Sequence, residues 1–130
     1  MKKIKYIICI SLFLFIGCDP NSDFGILFSP PKCDIVSIEK FDASPGNFAK
    51  FVITVKNTGD GATAENIGCE IKLKKDNTII ETDYAGFGSL NPGESAIGEA
   101  WFTRITNNSQ YDYYEIILYW YDANGGYYQK

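Results

Sequence analysis

The chain has 130 residues, four cysteines, no histidine and a formal charge of −4, which leaves room for one domain. Hydrophobic residues at 45% against 22% charged suit a packed core and exclude a disordered chain. Without histidine there is no Ser-His or Cys-His catalytic pair and the commonest zinc ligand is missing, while the acidic balance argues against a nucleic-acid partner.

Lys2, Lys3 and Lys5 form a positive start, and Tyr6 to Ile16 is an uncharged apolar run of eleven residues that ends in Gly17 and Cys18. This is the layout of a secretory signal peptide, expected as a helix over residues 1–17. A spanning helix needs about 20 apolar residues, and Asp19, Pro20 and Asn21 stop this run short. Leu14-Phe15-Ile16-Gly17-Cys18 resembles the bacterial lipobox, with Phe15 in place of the usual leucine. The resemblance implies a lipidated Cys18 at the mature N-terminus, anchored by acyl chains such as palmitate at about 0.8 kcal/mol per buried methylene. The alternative is an ordinary signal peptide cleaved nearby, with Cys18 a free thiol. Asp19 after that cysteine resembles the inner-membrane retention signal of some Gram-negative envelopes. The expected location is the bacterial cell envelope, facing the periplasm or the exterior.

Residues 18–32 read as a tether, opened by polar turn formers and closed by the stiff, extended Pro30-Pro31. The apolar Phe24, Ile26, Leu27 and Phe28 either stay free or dock on the domain. Removal of 1–17 leaves nine basic side chains against sixteen acidic ones, a balance of −7. Such a surface repels nucleic acid and is not drawn to an anionic leaflet.

From Cys33 onward the apolar residues recur with period two, the strand signal, and residues 33–130 read as one all-β domain. The expected strands are Cys33 to Phe41, Phe48 to Asn57, Asn66 to Lys75, Thr78 to Asp83, Ser95 to Ile105, Tyr113 to Tyr121 and Tyr127 to Gln129. In the second, Phe51, Ile53 and Val55 face in; in the third, Ile67, Cys69, Ile71 and Leu73 do. Ser44 to Asn47, Asp76-Asn77, Gly86 to Glu94 and Asp122 to Gly126 are expected turns. About seven short antiparallel strands with Gly and Pro punctuation describe an immunoglobulin-like β-sandwich.

Ile53 to Gly59 (ITVKNTG), Ile67 to Leu73, the turn from Leu90 to Ser95 (LNPGES) and a late aromatic strand ending in Asp122 resemble the cell-adhesion-related bacterial domain, CARDB, and the neighbouring FxLYD family. The resemblance spans residues 33–128. It implies an Ig-like fold and a non-catalytic envelope role in adhesion or interaction, without a binding residue to carry over. Taken by themselves, Asn57 and Gly59 are types that tolerate positive φ where a strand turns into a loop, and Pro92-Gly93 suits a type II turn.

Cys9 leaves with the signal peptide and Cys18 is assigned to lipid, so Cys33 and Cys69 remain as a disulfide candidate. Closing that loop would stabilise the fold by about 3–4 kcal/mol in the chain-entropy model; the alternative is two buried thiols. Alternation splits the late aromatic strand. Tyr114, Ile116, Leu118 and Trp120 are assigned to the core, while Tyr113, Ile117, Tyr119 and Tyr121 fall on the other face. Tyr113, Tyr119 and Tyr121 form a binding strip for an envelope protein, a glycan or a small ligand, because tyrosine joins apolar area to a polar tip. The bland reading is a strip covered by Phe24 to Phe28, or tyrosines that simply suit β-strands. No carboxylate pair, nucleophile motif or metal set stands out, so neither catalysis nor a cofactor is expected. Asp60, Glu65 and Asp122 are the only oxygen ligands considered for calcium, and a hairpin turn explains Asp122. Asn107-Asn108-Ser109 matches a glycosylation acceptor, which in a bacterial lipoprotein is a chance match.

Overall fold

In a computed structural model, which describes residues 29–130, the period-two segments become seven strands. They are β1 (Cys33–Phe41), β2 (Ala49–Asn57), β3 (Ala64–Lys75), β4 (Thr78–Leu90), β5 (Ser95–Phe102), β6 (Tyr113–Tyr121) and β7 (Tyr127–Gln129), with a 3₁₀ turn at Asn108–Gln110. The signal peptide, Cys18, Phe24 to Phe28 and most of the 18–32 segment lie outside the described residues. All pairings are antiparallel. One sheet has the order β1-β2-β5 and the other β4-β3-β6-β7. This is the immunoglobulin-like sandwich, in the arrangement where the fourth strand joins the third instead of the fifth.

Between the sheets, Phe51, Ile53 and Val55 of β2 meet Cys69, Ile71 and Leu73 of β3 and Leu118 of β6, all buried. Phe51 packs edge-on against Phe102 at 5.6 Å and against Tyr114 at 4.9 Å. Tyr114, expected in the core, therefore sits at its rim, 38% exposed. Asp76 and Asn77 both take positive φ, 48° and 62°, as a two-residue hairpin turn requires. Gly93 has φ +84° and the Glu94 N–H bonds the Asn91 carbonyl at 3.0 Å, the expected type II geometry.

Other expectations change as well, and β5 ends at Phe102, short of the expected Ile105. β4 runs to Leu90, well past Asp83, because Ala85, Phe87 and Leu90 continue to bury their side chains. Glycine at 86 and 88 hides that continuity in sequence. Asn57 and Gly59 do not have positive φ. Asn57 is fully buried and its carboxamide donates to the carbonyls of Ala62 and Leu90, both at 2.9 Å, while accepting from the Gly59 N–H at 3.0 Å. At Gly59 a Cβ would lie 2.9 Å from the Lys32 nitrogen. The glycine is there for close approach of another strand of chain.

That other segment is residues 31–32, just before β1. The Lys32 carbonyl accepts from Thr58 N–H at 2.7 Å and Gly59 N–H at 3.2 Å, and the Pro31 carbonyl accepts from Trp120 Nε1 at 2.9 Å. Residues 31 and 32 are thus strapped to the domain.

Candidate functional site

The outer face of the β4-β3-β6-β7 sheet carries a groove of about 350 Å³, lined by Glu70, Tyr84, Ile117, Tyr119, Tyr121, Tyr127 and Gln129. Pairing register explains the grouping. Glu70 lies between Tyr84 and Ile117, Gly68 between Gly86 and Tyr119, and Tyr121 opposite Tyr127. Residues directly opposite on neighbouring strands share a face.

The groove is shallow and open, and β3 is irregular beside it. A bulge falls between Glu65 and Gly68 in the pairing with β6, and Asn66 within it has φ +48°; such an extra residue bends and twists its strand. Gly68 follows, and Tyr119 lies across it: a Cβ there would be 2.4 Å from the Tyr119 hydroxyl oxygen and 2.5 Å from Cζ. Beyond it the rings brace one another. Tyr119 and Tyr127 stack at 6.5 Å, and Tyr121 meets Tyr127 edge-on at 5.3 Å.

Charge in the groove is concentrated on Glu70. Its Oε2 pairs with Lys72 Nζ at 2.8 Å and its Oε1 accepts from the Tyr84 hydroxyl at 3.1 Å. The Lys72 ammonium, with help from that hydroxyl, holds the Glu70 carboxyl below its usual range, and the carboxylate pushes the Tyr84 phenol and the Lys72 amine up. Glu70 is therefore a fixed, ionised acceptor at neutral pH. Chemically the groove offers ring faces, phenol hydroxyls, one carboxylate and one carboxamide, a set suited to holding a molecule.

Of the expected strip, the structure brings Tyr119 and Tyr121 together and leaves Tyr113 out. Tyr113 donates to Asn77 Oδ1 at 2.8 Å, with Lys74 Nζ 5.9 Å from its ring centroid, at the far end of β6. Tyr84 and Tyr127 take its place. Tyr84 was concealed by the early end assigned to β4; the unbroken alternation of Tyr84, Gly86 outward with Ala85, Phe87 inward was the available signal.

Cys33 and Cys69 sit in opposite sheets as free thiols, both fully buried. Each sulfur is enclosed by the apolar core, and the two lie close enough for Cys33 to add to the upward push on Cys69. Burial pushes the Cys33 thiol up to about 11 and the Cys69 thiol up to about 12. Asp122, weighed above for calcium, spends its carboxylate on its own hairpin. It accepts from Asn124 and Gly126 N–H groups at 2.9 and 2.8 Å and from the Tyr128 hydroxyl at 2.9 Å, which hold it below the ordinary carboxylate range, Gly126 most. Among the described residues, no three His, Cys, Asp or Glu side chains are grouped to hold a metal ion. The chain matches no protein-family model, and no curated protein matches it.

Proposed function

We propose that this protein is a cell-envelope lipoprotein whose sandwich is a non-catalytic interaction or adhesion module, with the tyrosine-lined groove as its contact site. The groove itself carries the reading. Four tyrosines from three strands converge on one concavity beside a fixed carboxylate, whereas rings that merely suited β-strands would be scattered over the faces. The signal-peptide layout, the lipobox resemblance at Cys18 and the CARDB-like pattern of residues 33–128 support export, anchorage by acyl chains and an adhesive role. A second reading, a glycan- or small-ligand-binding lipoprotein, is favoured by the concavity, since a protein-contact face is expected to be flatter.

One experiment tests site and anchorage together. Cells expressing the full chain are labelled with palmitate and fractionated, and the purified chain is incubated with envelope material. Cys18→Ser should abolish labelling and release the chain from membranes. Replacing Tyr119 and Tyr121 together by serine should lower retention on envelope material at least about tenfold while the domain still unfolds cooperatively at a somewhat lower melting temperature, because the rings lost are half-buried on an outer face. Unchanged retention in the tyrosine variant overturns the site, and persistent labelling in the cysteine variant overturns the anchor.

A further inference from the structure

Separate contacts bring the two buried thiols to one place in the core. In the larger sheet, Cys69 lies opposite Leu118 of β6, and Leu118 exchanges backbone hydrogen bonds with Lys130 at 3.0 and 2.9 Å. Cys69, Leu118 and Lys130 thus form one row across that sheet. Cys33 opens β1 in the other sheet, and its neighbours on either side are fastened beside that row. The Asp34 carboxylate pairs with the Lys130 ammonium. The Pro31 carbonyl accepts from Trp120 Nε1 at 2.9 Å, and Trp120 stands two residues beyond Leu118 on the same inward side of β6. Sheets of a sandwich stand about 10 Å apart, so a bridge needs such local closure to bring Cα atoms within about 7 Å. A negative charge on Cys33 is also felt at Cys69, as two groups close together in a dry core require.

Burial then decides when the two can react. Thiol–disulfide exchange needs a thiolate and access to it. The folded core denies both, since burial pushes the thiols up to about 11 and about 12 and neither residue has exposed surface. The unfolded chain denies neither, because an unperturbed cysteine ionises near pH ~8.5. Once made, the bond would be shielded from reductants by the same core.

We infer that Cys33 and Cys69 form a disulfide that fastens the start of β1 to β3 across the core, made while the chain folds and sealed when the sheets close. The exchange takes two thiols of this chain and one disulfide of an envelope thiol oxidase, and yields the Cys33–Cys69 disulfide and two thiols on the oxidase. One S–S bond breaks, one forms, and both hydrogens pass to the oxidase. Contact with that oxidase rests on the reading of this protein as exported; the placement of the two sulfurs does not.

The test uses the full chain with Cys9→Ser and Cys18→Ser, so that Cys33 and Cys69 alone remain. Reduced in urea and refolded in a mixture of oxidised and reduced glutathione, it should lose two hydrogens in mass, resist alkylation in denaturant and yield a peptide joining Cys33 to Cys69. Its unfolding equilibrium constant should be at least about tenfold smaller than that of protein refolded in reductant, a difference that Cys33→Ala should erase. Protein already folded in reductant should oxidise in the same mixture at least about a hundredfold more slowly than refolding protein. Two alkylatable thiols, glutathione adducts or linked dimers after oxidative refolding overturn the bond, and equal oxidation rates overturn the order of events. Alkylation of the unsubstituted chain, acid-quenched from bacteria, then separates the bond from export. A bond that forms in the tube while Cys33 and Cys69 stay free in cells overturns export; thiols free in both overturn the bond.

Discussion

The carboxamide of Asn57 joins three parts of the chain at one buried point: the end of β2, the loop through Ala62 and the end of β4 at Leu90. Its backbone adds the turn, accepting from Gly93 N–H at 2.8 Å and donating to the Glu94 carbonyl at 3.0 Å. Removing the side chain takes its donor from the carbonyls of Ala62 and Leu90, while the Gly59 N–H keeps only its longer bond to Lys32; each buried group left unsatisfied costs about 1–3 kcal/mol. Asn57→Ala should therefore destabilise the domain by about 3 kcal/mol or more, measured as a shift in urea midpoint at unchanged slope. Asn57→Asp should be at least as damaging, since a carboxylate would face two carbonyl oxygens. The identity of Asn57 and Gly59 stood out in the sequence, but their reason did not. Local backbone rules suggested positive φ, whereas the need for both residues comes from partners far away in the chain, Leu90 for one and Lys32 for the other.

At the level of elements, the open edge of β5 faces β4, and β4 caps it with side chains. The Asp83 carboxylate accepts from Trp101 N–H at 2.7 Å, and the buried Glu81 accepts from Arg104 N–H at 3.3 Å. Inward acidic groups of this kind protect an edge that would otherwise pair with another chain. The strands approach closely at Gly98, where a Cβ would lie 2.9 Å from the Gly86 carbonyl and 2.9 Å from the Phe87 ring. Gly98→Ala should push β4 and β5 apart and cost about 1–3 kcal/mol as overpacking, whereas Gly68→Ala, which meets only a movable tyrosine ring, should cost less. Thermal unfolding of the two variants side by side would show a smaller Tm loss for Gly68→Ala; the reverse order would contradict the packing described here. Strand alternation made β1, β2, β6 and β7 legible. It did not reveal the groove, because Tyr84 of its lining lies past the expected end of β4, where Gly86 and Gly88 look like a turn.

Over the whole molecule, the sandwich is closed on its other side by ion pairing between the C-terminal residue and the first strand. Lys130 Nζ pairs with Asp34, whose other oxygen accepts from the Thr58 hydroxyl at 2.6 Å. Lys130 foremost, then Thr58, holds the Asp34 carboxyl below its ordinary 3.8. A depressed carboxyl contributes stability above the unfolded value and loses it as pH falls through the folded one. The amides at the C-terminal strand, Tyr128 and Lys130 among them, should therefore lose protection, measured against their intrinsic exchange rates, as pH falls below 3.8, ahead of the core. Asp34→Asn should show that faster exchange already at neutral pH and no further acid change; protection that is identical in the two proteins at pH 7 would refute the link. The strap at Pro31 and Lys32 has a consequence of a mechanical kind. A pull applied N-terminal to the strap reaches the domain through the Pro31 carbonyl on Trp120 Nε1 and the Lys32 carbonyl on the Thr58 and Gly59 N–H groups. Trp120 belongs to β6, the strand that also supplies Tyr119 and Tyr121. Tension applied to the strap would thus load both sheets together, β6 through Trp120 and the end of β2 through Thr58 and Gly59, before it reaches the first residue of β1.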